Sequence, residues 1–351
     1  MTRGRARLEA LWRRGRTYLG VDYAIMGGAM TWVSERKLVS ALSNAGAFGV
    51  LASGAMMPEQ LEAEIAATQA LTKKPFGVNL ITMHPRLLDL IAVCRNLDVG
   101  HIVLAGGIPS GAAMTAVKDA GAKLMCFVPA LALAKKLVRN GADALVIEGA
   151  EAGGHIGPVS TSVLAQEIVP EMRDVPVFVA GGIGRGEAIA MYLEMGAAGC
   201  QLGTRFVCAS ESIAHPNFKK AFIRAAARDA VPSVQVDPQF PVIPVRAIKN
   251  AATERFAQIQ IDVIAKFRRG EMTQQQAQLE IEHFWAGALR RAVVEGDVET
   301  GSLMAGQSVG MVNKVQPVAE ILSELVAEAA LALGRRDGET VADRAAEAAA
   351  S

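Results

Sequence analysis

The stretch "VFVAGGIGRGEAIAMYLEMGAAGCQLGTRF" runs from Val177 to Phe206. It contains two short apolar runs, "VFVAG" (177–181) and "GCQLG" (199–203), and each stops at glycine. Short apolar runs without polar alternation read as strands buried on both faces, the kind found in parallel sheets. Upstream the same unit recurs as "DYAIM" (22–26), "FGVLA" (48–52), "FGVNL" (76–80), "HIVLA" (101–105), "KLMCF" (123–127) and "ALVIE" (144–148). Helical patterns lie between them. "PEQLEAEIAATQAL" opens on Pro58 at a first-turn position, "PRLLDLIAVC" opens on Pro85, and "ALALAKKLVRNGA" closes on Gly141. Strands alternating with helices imply a parallel sheet, and eight such units predict a closed (β/α)₈ barrel. An open doubly wound sheet is the alternative. It is disfavoured by the count of eight and by the first turn, "MGGAMTW", which lacks the GxGxxG dinucleotide fingerprint.

After Arg205 the rhythm breaks. From about Pro216 to Gly296 the text is helical and charged, interrupted by the proline-rich "VPSVQVDPQFPVIPVR", which reads as loop. The expected organisation is a barrel over 20–215 and 297–333, with a helical insertion or lid over 216–296. A basic N-terminal arm (1–19) precedes the barrel, and a polar, disordered tail (334–351) follows it.

Composition bounds the function. The chain has 351 residues, 51% of them hydrophobic, with a net charge of +1 and 5% aromatics. No bulk field draws it to nucleic acid, and few rings are available to stack on bases. No apolar stretch reaches the ~20 residues a membrane span needs. Cys94, Cys126, Cys200 and Cys208 form no CxxC pair and no zinc pattern. No metal is expected, and a reducing, cytoplasmic setting is.

In a barrel of this kind the active site lies at the C-terminal ends of the strands, and phosphate commonly binds after strands seven and eight. Gly181 and Gly182 follow the seventh run, and Gly203 and Thr204 follow the eighth. Glycine lets backbone amides reach an anion, and a helix starting near Arg185 would add its positive dipole end. Arg185 and Arg205 either assist or face the surface. Further bare strand ends are Gly27, Gly28 and Ala29 in "MGGAM" and the glycine pair of "LAGGIP" (104–109). Asn79 ends an apolar strand, where its amide either bonds a ring edge or is satisfied by neighbouring backbone. One phosphate cradle among bare loops points to flavin mononucleotide (FMN) rather than a dinucleotide.

A lone histidine, His155, sits in "EGAEAGGHIGPVST" (148–161) among three nearby glycines. A structural turn does not need a histidine so framed. The chain is similar to the nitronate monooxygenase family, which includes 2-nitropropane dioxygenases and enoyl-acyl carrier protein reductase II. The matching segments are "GGAMTWVS", "KPFGVN", "EAGGHIG", "VAGGIGRG", "QLGTRF", "HPNFK" and "GSLMAGQSVG", in order, from about Ala24 to Leu333. The resemblance implies an FMN enzyme on a (β/α)₈ barrel with His155 as catalytic acid/base. It implies a phosphate cradle at Gly181, Gly182, Gly203 and Thr204, flavin contact by Asn79, a ring lined by Gly153 and Gly154, and a returning segment with Gln307. The expected activity is oxidation of alkyl nitronates or nitroalkanes with oxygen. The alternatives are NAD(P)H-dependent reduction of an enoyl thioester and a non-catalytic flavin-binding protein. The expected partners are thus a small-molecule substrate, with NAD(P)H in the reductive case, and the resemblance allows a homodimer. Glu148 and Glu151 flank the histidine loop and either orient His155 or face solvent.

Overall fold

The eight apolar runs become eight parallel strands. In a computed structural model they span Ile25–Gly27, Phe48–Ala52, Phe76–Ile81, His101–Ala105, Lys123–Val128, Ala144–Glu148, Val177–Ala180 and Gly199–Leu202. The structure describes residues 2–340 apart from Ala55, Pro238, Gln239 and Pro241. The strands follow chain order and the first pairs with the last, Met26 against Gln201, which closes the barrel. The first strand begins three residues later than its apolar run, because the Asp22 and Tyr23 amides are taken by the Gly46 carbonyl outside the ladder.

Side-chain alternation sorts each strand. Met26, Phe48, Val50, Met125, Val146 and Phe178 fill the interior. Their neighbours, such as Ile25, Leu51, Leu80, Leu104, Ile147 and Val179, face the helical ring. The interior is therefore a packed core with a mouth at one end, not a pore.

The N-terminal segment is more than a basic arm. Helices Arg3–Leu11 and Arg13–Leu19 form from it. Leu19 enters the interior cluster, and the Tyr18 carbonyl meets both Lys123 Nζ and His101 Nε2, the latter at 3.0 Å. Burial pushes the His101 imidazole down to about 4, so at neutral pH it is an uncharged floor residue. The first helix lies against the last, Val318–Arg336. The approach is so close that a Cβ at Gly4 would fall 2.0 Å from the Ala330 carbonyl. Arg7 pairs with Glu194 and Asp337 across this junction. The expected tail starts late for the same reason: Leu333 and Gly334 are buried in that helix. Residues 341–351 lie outside the described residues.

Segment 216–296 divides into two. Phe218 and Phe222 of helix Pro216–Arg224 belong to the barrel's outer core. Helices Ala251–Arg268 and Gln274–Arg290 instead share a core of their own, made by Phe240, Phe256, Val263, Ile281 and Trp285. The proline-rich stretch before helix Ala251–Arg268, expected as loop, contributes to two short strands, Ala230–Pro232 and Val245–Ile248. Its prolines leave the ladder intact because Pro232 ends one strand and Pro244 precedes the other. Val245–Ile248 pairs antiparallel with Ala230–Pro232 on one side and with Gly154–His155 on the other. The insertion is thus joined by a sheet to the histidine loop. Among the described residues no helix is long and apolar enough to cross a membrane, and no group of three or more His, Cys, Asp or Glu could hold a metal.

Candidate active site

The mouth is built from the last inward-facing residue of each strand. Alternation places Gly28, Ala52, Asn79, Ala180 and Gln201 there, with Glu148 at the end of the sixth strand. Glycine and alanine at three of these positions put little side chain over this end of the barrel, a recess by residue size, beside the polar Asn79, Gln201 and Glu148. Asn79 is buried, and its Nδ2 donates to the Val103 carbonyl at 3.2 Å. Gln201, also buried, lies beside Gly28, where a Cβ would stand 3.5 Å from its Nε2. Gln201 was not singled out from the sequence. Its one signal was a polar residue at an inward position of an apolar strand. Gly27 has a different part, since a Cβ there would strike Leu42 Cδ1 at 2.3 Å; its smallness seats the first strand on helix Arg36–Asn44. Ala29 packs at the edge of the interior cluster.

Beside this recess lies a bare-amide cradle. Gly181 and Gly182 adopt φ of +97° and +72°, a left-handed conformation that other residues strain to reach. Among the described residues, the amides of Gly182, Ile183 and Thr204 donate to no protein acceptor. Thr204 instead uses its hydroxyl, which accepts from the Gly306 amide at 2.9 Å and ties the returning segment to the eighth strand. Two details differ from the sequence reading. The first amide of helix Gly186–Glu194 donates to Glu328 Oε2 at 2.7 Å, so that helix end is already capped. Arg185 and Arg205 are committed to Glu187 and Glu328, and to Glu324, respectively. A groove of about 310 Å³ opens next to the cradle, lined by Glu151, Gly181, Gly182, Tyr192, Gln307 and Met311 among others.

The histidine loop crosses the same end. Gly153 meets the returning segment backbone to backbone, where a Cβ would fall 2.5 Å from the Gly306 amide nitrogen. The Gln307 amide donates to the Glu151 carbonyl at 2.9 Å. His155 and Gly154 form the edge strand paired to Val245–Arg246, and His155 is solvent-exposed. The two flanking carboxylates part company here. Glu151 caps helix Thr161–Ile168, accepting from the Thr161 amide and hydroxyl at 2.7 Å each. Glu148 faces the recess, where burial pushes its carboxyl up to about 7 against the electrostatic pull of His155. His84 and His215 accept from the amides two residues on, as loop and cap residues. His283 has a side chain outside the described residues.

The structure thus brings Asn79, Glu148, His155, Gly181, Gly182, Gly203, Thr204 and Gln307 to one end of the barrel. A closed eight-stranded parallel barrel with glycine-rich loops and a histidine loop at one end is the architecture of a (β/α)₈ barrel enzyme. The family model for nitronate monooxygenase matches residues 15–99 and 90–328. A relative from Rhodococcus jostii, named (3aS,4S,5R,7aS)-5-hydroxy-7a-methyl-1-oxo-octahydro-1H-indene-4-carboxyl-CoA dehydrogenase, is 30% identical over 89% of this chain and 94% of its own. A nitronate monooxygenase from Paraburkholderia phytofirmans is 30% identical over 60% of this chain and 70% of its own. The solved structure of FabK from Thermotoga maritima is 34% identical, covers 93% of this chain and 99% of its own, and superposes with a TM-score of 0.83. The chain belongs to the nitronate monooxygenase family, and it is an oxidoreductase of that family of flavoproteins.

Proposed function

We propose that this chain is an FMN-dependent oxidoreductase that moves a hydride to or from a carbon activated by a neighbouring electron-withdrawing group, with His155 as the proton-transfer residue. The single observation that carries the reading is the arrangement at the mouth, where unpartnered amides, a small-residue recess and the His155 loop share one end of the barrel. The amides of Gly182, Ile183 and Thr204 suit one phosphate, and the recess edged by Asn79 and Gln201 suits a flat, polar-edged ring. Bound there, FMN supplies the site that takes up or gives back an electron pair. The chain's own contribution is position and proton management. An imidazole can both take up and release a proton, so His155 can hold or release the substrate proton. Glu148 lies close enough to His155 to bias its charge.

The substrate we favour is an acyl thioester. A relative 30% identical over 89% of the chain is named for a CoA thioester, whereas relatives named probable nitronate monooxygenase match over 90% of it at 26% identity. In the reductive direction NAD(P)H serves as electron source and His155 protonates the carbon beside the thioester carbonyl. In the oxidative direction His155 removes that proton. The second reading is the nitronate or nitroalkane oxidation that names the family, in which His155 takes the α-proton of a neutral nitroalkane. The test is anaerobic mixing of purified holoprotein with NADH, NADPH, a saturated acyl-CoA and propyl-2-nitronate in turn. Bleaching of the flavin by NADH or NADPH, followed by reoxidation with crotonyl-CoA, supports the thioester reading; so does bleaching by the acyl-CoA. Bleaching by the nitronate alone replaces it with the second. A protein that carries no flavin after reconstitution refutes both.

A further inference from the structure

The loop that carries His155 is short of bulky side chains, and it is held by a few polar contacts. Between Gly149 and Gly157 it contains four glycines, and ordering each such residue costs about 1–2 kcal/mol of backbone entropy. Gly154 is also in the left-handed region, with φ of +80°. Its order must therefore come from neighbours. The returning segment supplies one contact, through Gly306 and Gln307. The Glu151 cap on Thr161 supplies another, and on the insertion side Arg246 contributes two more.

Arg246 is 7% exposed and lies on strand Val245–Ile248. Its backbone is in register with Gly154, and its neighbour Val245 with His155. Its side chain turns back to the other end of the same loop, where Nε donates to the Ala150 carbonyl at 2.9 Å. Nη1 donates to the Ala230 carbonyl at 2.5 Å, anchoring the guanidinium on the insertion's outer strand. Glu151 draws the same charge electrostatically. One residue thus grips both ends of loop 150–155 and fixes them to the insertion. A rigid fork with donors at Nε and Nη1 spans the two carbonyls; a lysine, a single point donor, cannot.

We propose that Arg246 is a positioning residue: it sets His155 at the barrel mouth, so that the insertion acts on the reaction through the histidine loop. This rests on the reading of His155 as the proton-transfer group. A misplacement of the order of 1 Å at such a group costs about 10²-fold in rate.

The experiment uses flavin-loaded protein with Arg246→Lys and Arg246→Met, each alone and with His155→Ala, and NADH with crotonyl-CoA, and nitroethane with oxygen, as probes. The expected result is wild-type flavin content and flavin reduction by NADH, with kcat lowered about 10–100-fold in Arg246→Met and KM changed by less than about threefold. Because Arg246 acts through His155, Arg246→Met should cost nothing further in the His155→Ala background. Hydrogen exchange read by mass spectrometry gives a second measure that needs no turnover. Amides 150–155 should exchange faster in both variants, while 180–206 stay as in wild type. Unchanged exchange at 150–155 overturns the proposal. So does loss of flavin or of folded protein in both variants, or a rate loss that adds in full to that of His155→Ala. If His155→Ala itself turns over as wild type, it is the reading of His155 that fails, and the exchange result still decides whether Arg246 orders the loop.

Discussion

Glu148→Gln tests the chemistry of the mouth through stability. In the folded chain the Glu148 carboxyl sits near 7, against an ordinary value of 4.5, and the first cause is burial. A folded value raised above the unfolded one means that the folded state holds the proton longer. The associated stability is fully present below about pH 4.5 and is lost as pH rises through about 7. At about 1.36 kcal/mol per pH unit the whole displacement corresponds to about 3 kcal/mol. Since the residue is only partly withdrawn from solvent, about 2–3 kcal/mol is the expected range. Glutamine is close in shape and cannot ionise. Wild type and Glu148→Gln should therefore be unfolded in urea between pH 5 and pH 8.5, at fixed ionic strength and saturating FMN. The difference between them cancels every other titrating group. Glu148→Gln should gain about 2–3 kcal/mol on wild type across that range, mostly between pH 5 and 7. A stability difference that stays constant with pH would show that Glu148 is solvated and ionised throughout, and the recess would lose its claim to be a low-dielectric site.

The remaining predictions concern the cofactor, the histidine and the insertion. Gly182→Asp should lower FMN occupancy after gel filtration, since it strains a left-handed position, presses on Glu151 Cβ and sets a carboxylate beside the phosphate cradle; undiminished flavin would place the phosphate elsewhere. His155→Ala should keep flavin and fold while turnover of a neutral substrate falls by about 10²–10⁴-fold. A preformed nitronate should be largely spared, and equal losses on both substrates would assign His155 to binding. Trp285→Ala should cost about 3–5 kcal/mol, because Trp285 stacks within 4.3 Å of Phe256 in the insertion's own core. Local hydrogen exchange across 251–290 would report it, and a purely catalytic phenotype would contradict that placement.

The fold was legible because barrel strands advertise themselves. Residues such as "ALVIE" and "VFVAG" are apolar on both faces, and a strand covered on both faces cannot be anything else at that length. The turn after the seventh strand was legible for a related reason. Gly181 and Gly182 occupy left-handed positions at a strand end, and that requirement leaves its mark in the residue type. What the runs could not show is which neighbour takes each amide. The helix at Gly186 looks like a free dipole end in sequence, yet Glu328, 142 residues away, already caps it.

Arg246 is the harder case, and it shows where reading along a chain stops. An arginine in "FPVIPVR" carries no local signal, because the prolines around it argue for loop and arginine is ordinarily a surface residue. Its role exists only through a pairing with residue 154, 92 positions earlier, and through two carbonyls on separate segments. The same holds for Glu148 and Glu151, three residues apart in one acidic, glycine-rich loop. The sixth strand carries Glu148 inward to the recess, and the turn after it swings Glu151 over the next helix, where the Thr161 amide and hydroxyl take it up. One carboxyl is pushed toward neutrality by burial, and the other is tied to the start of helix Thr161–Ile168. That division follows from three-dimensional neighbours alone, and it places Glu148 within the electrostatic reach of His155.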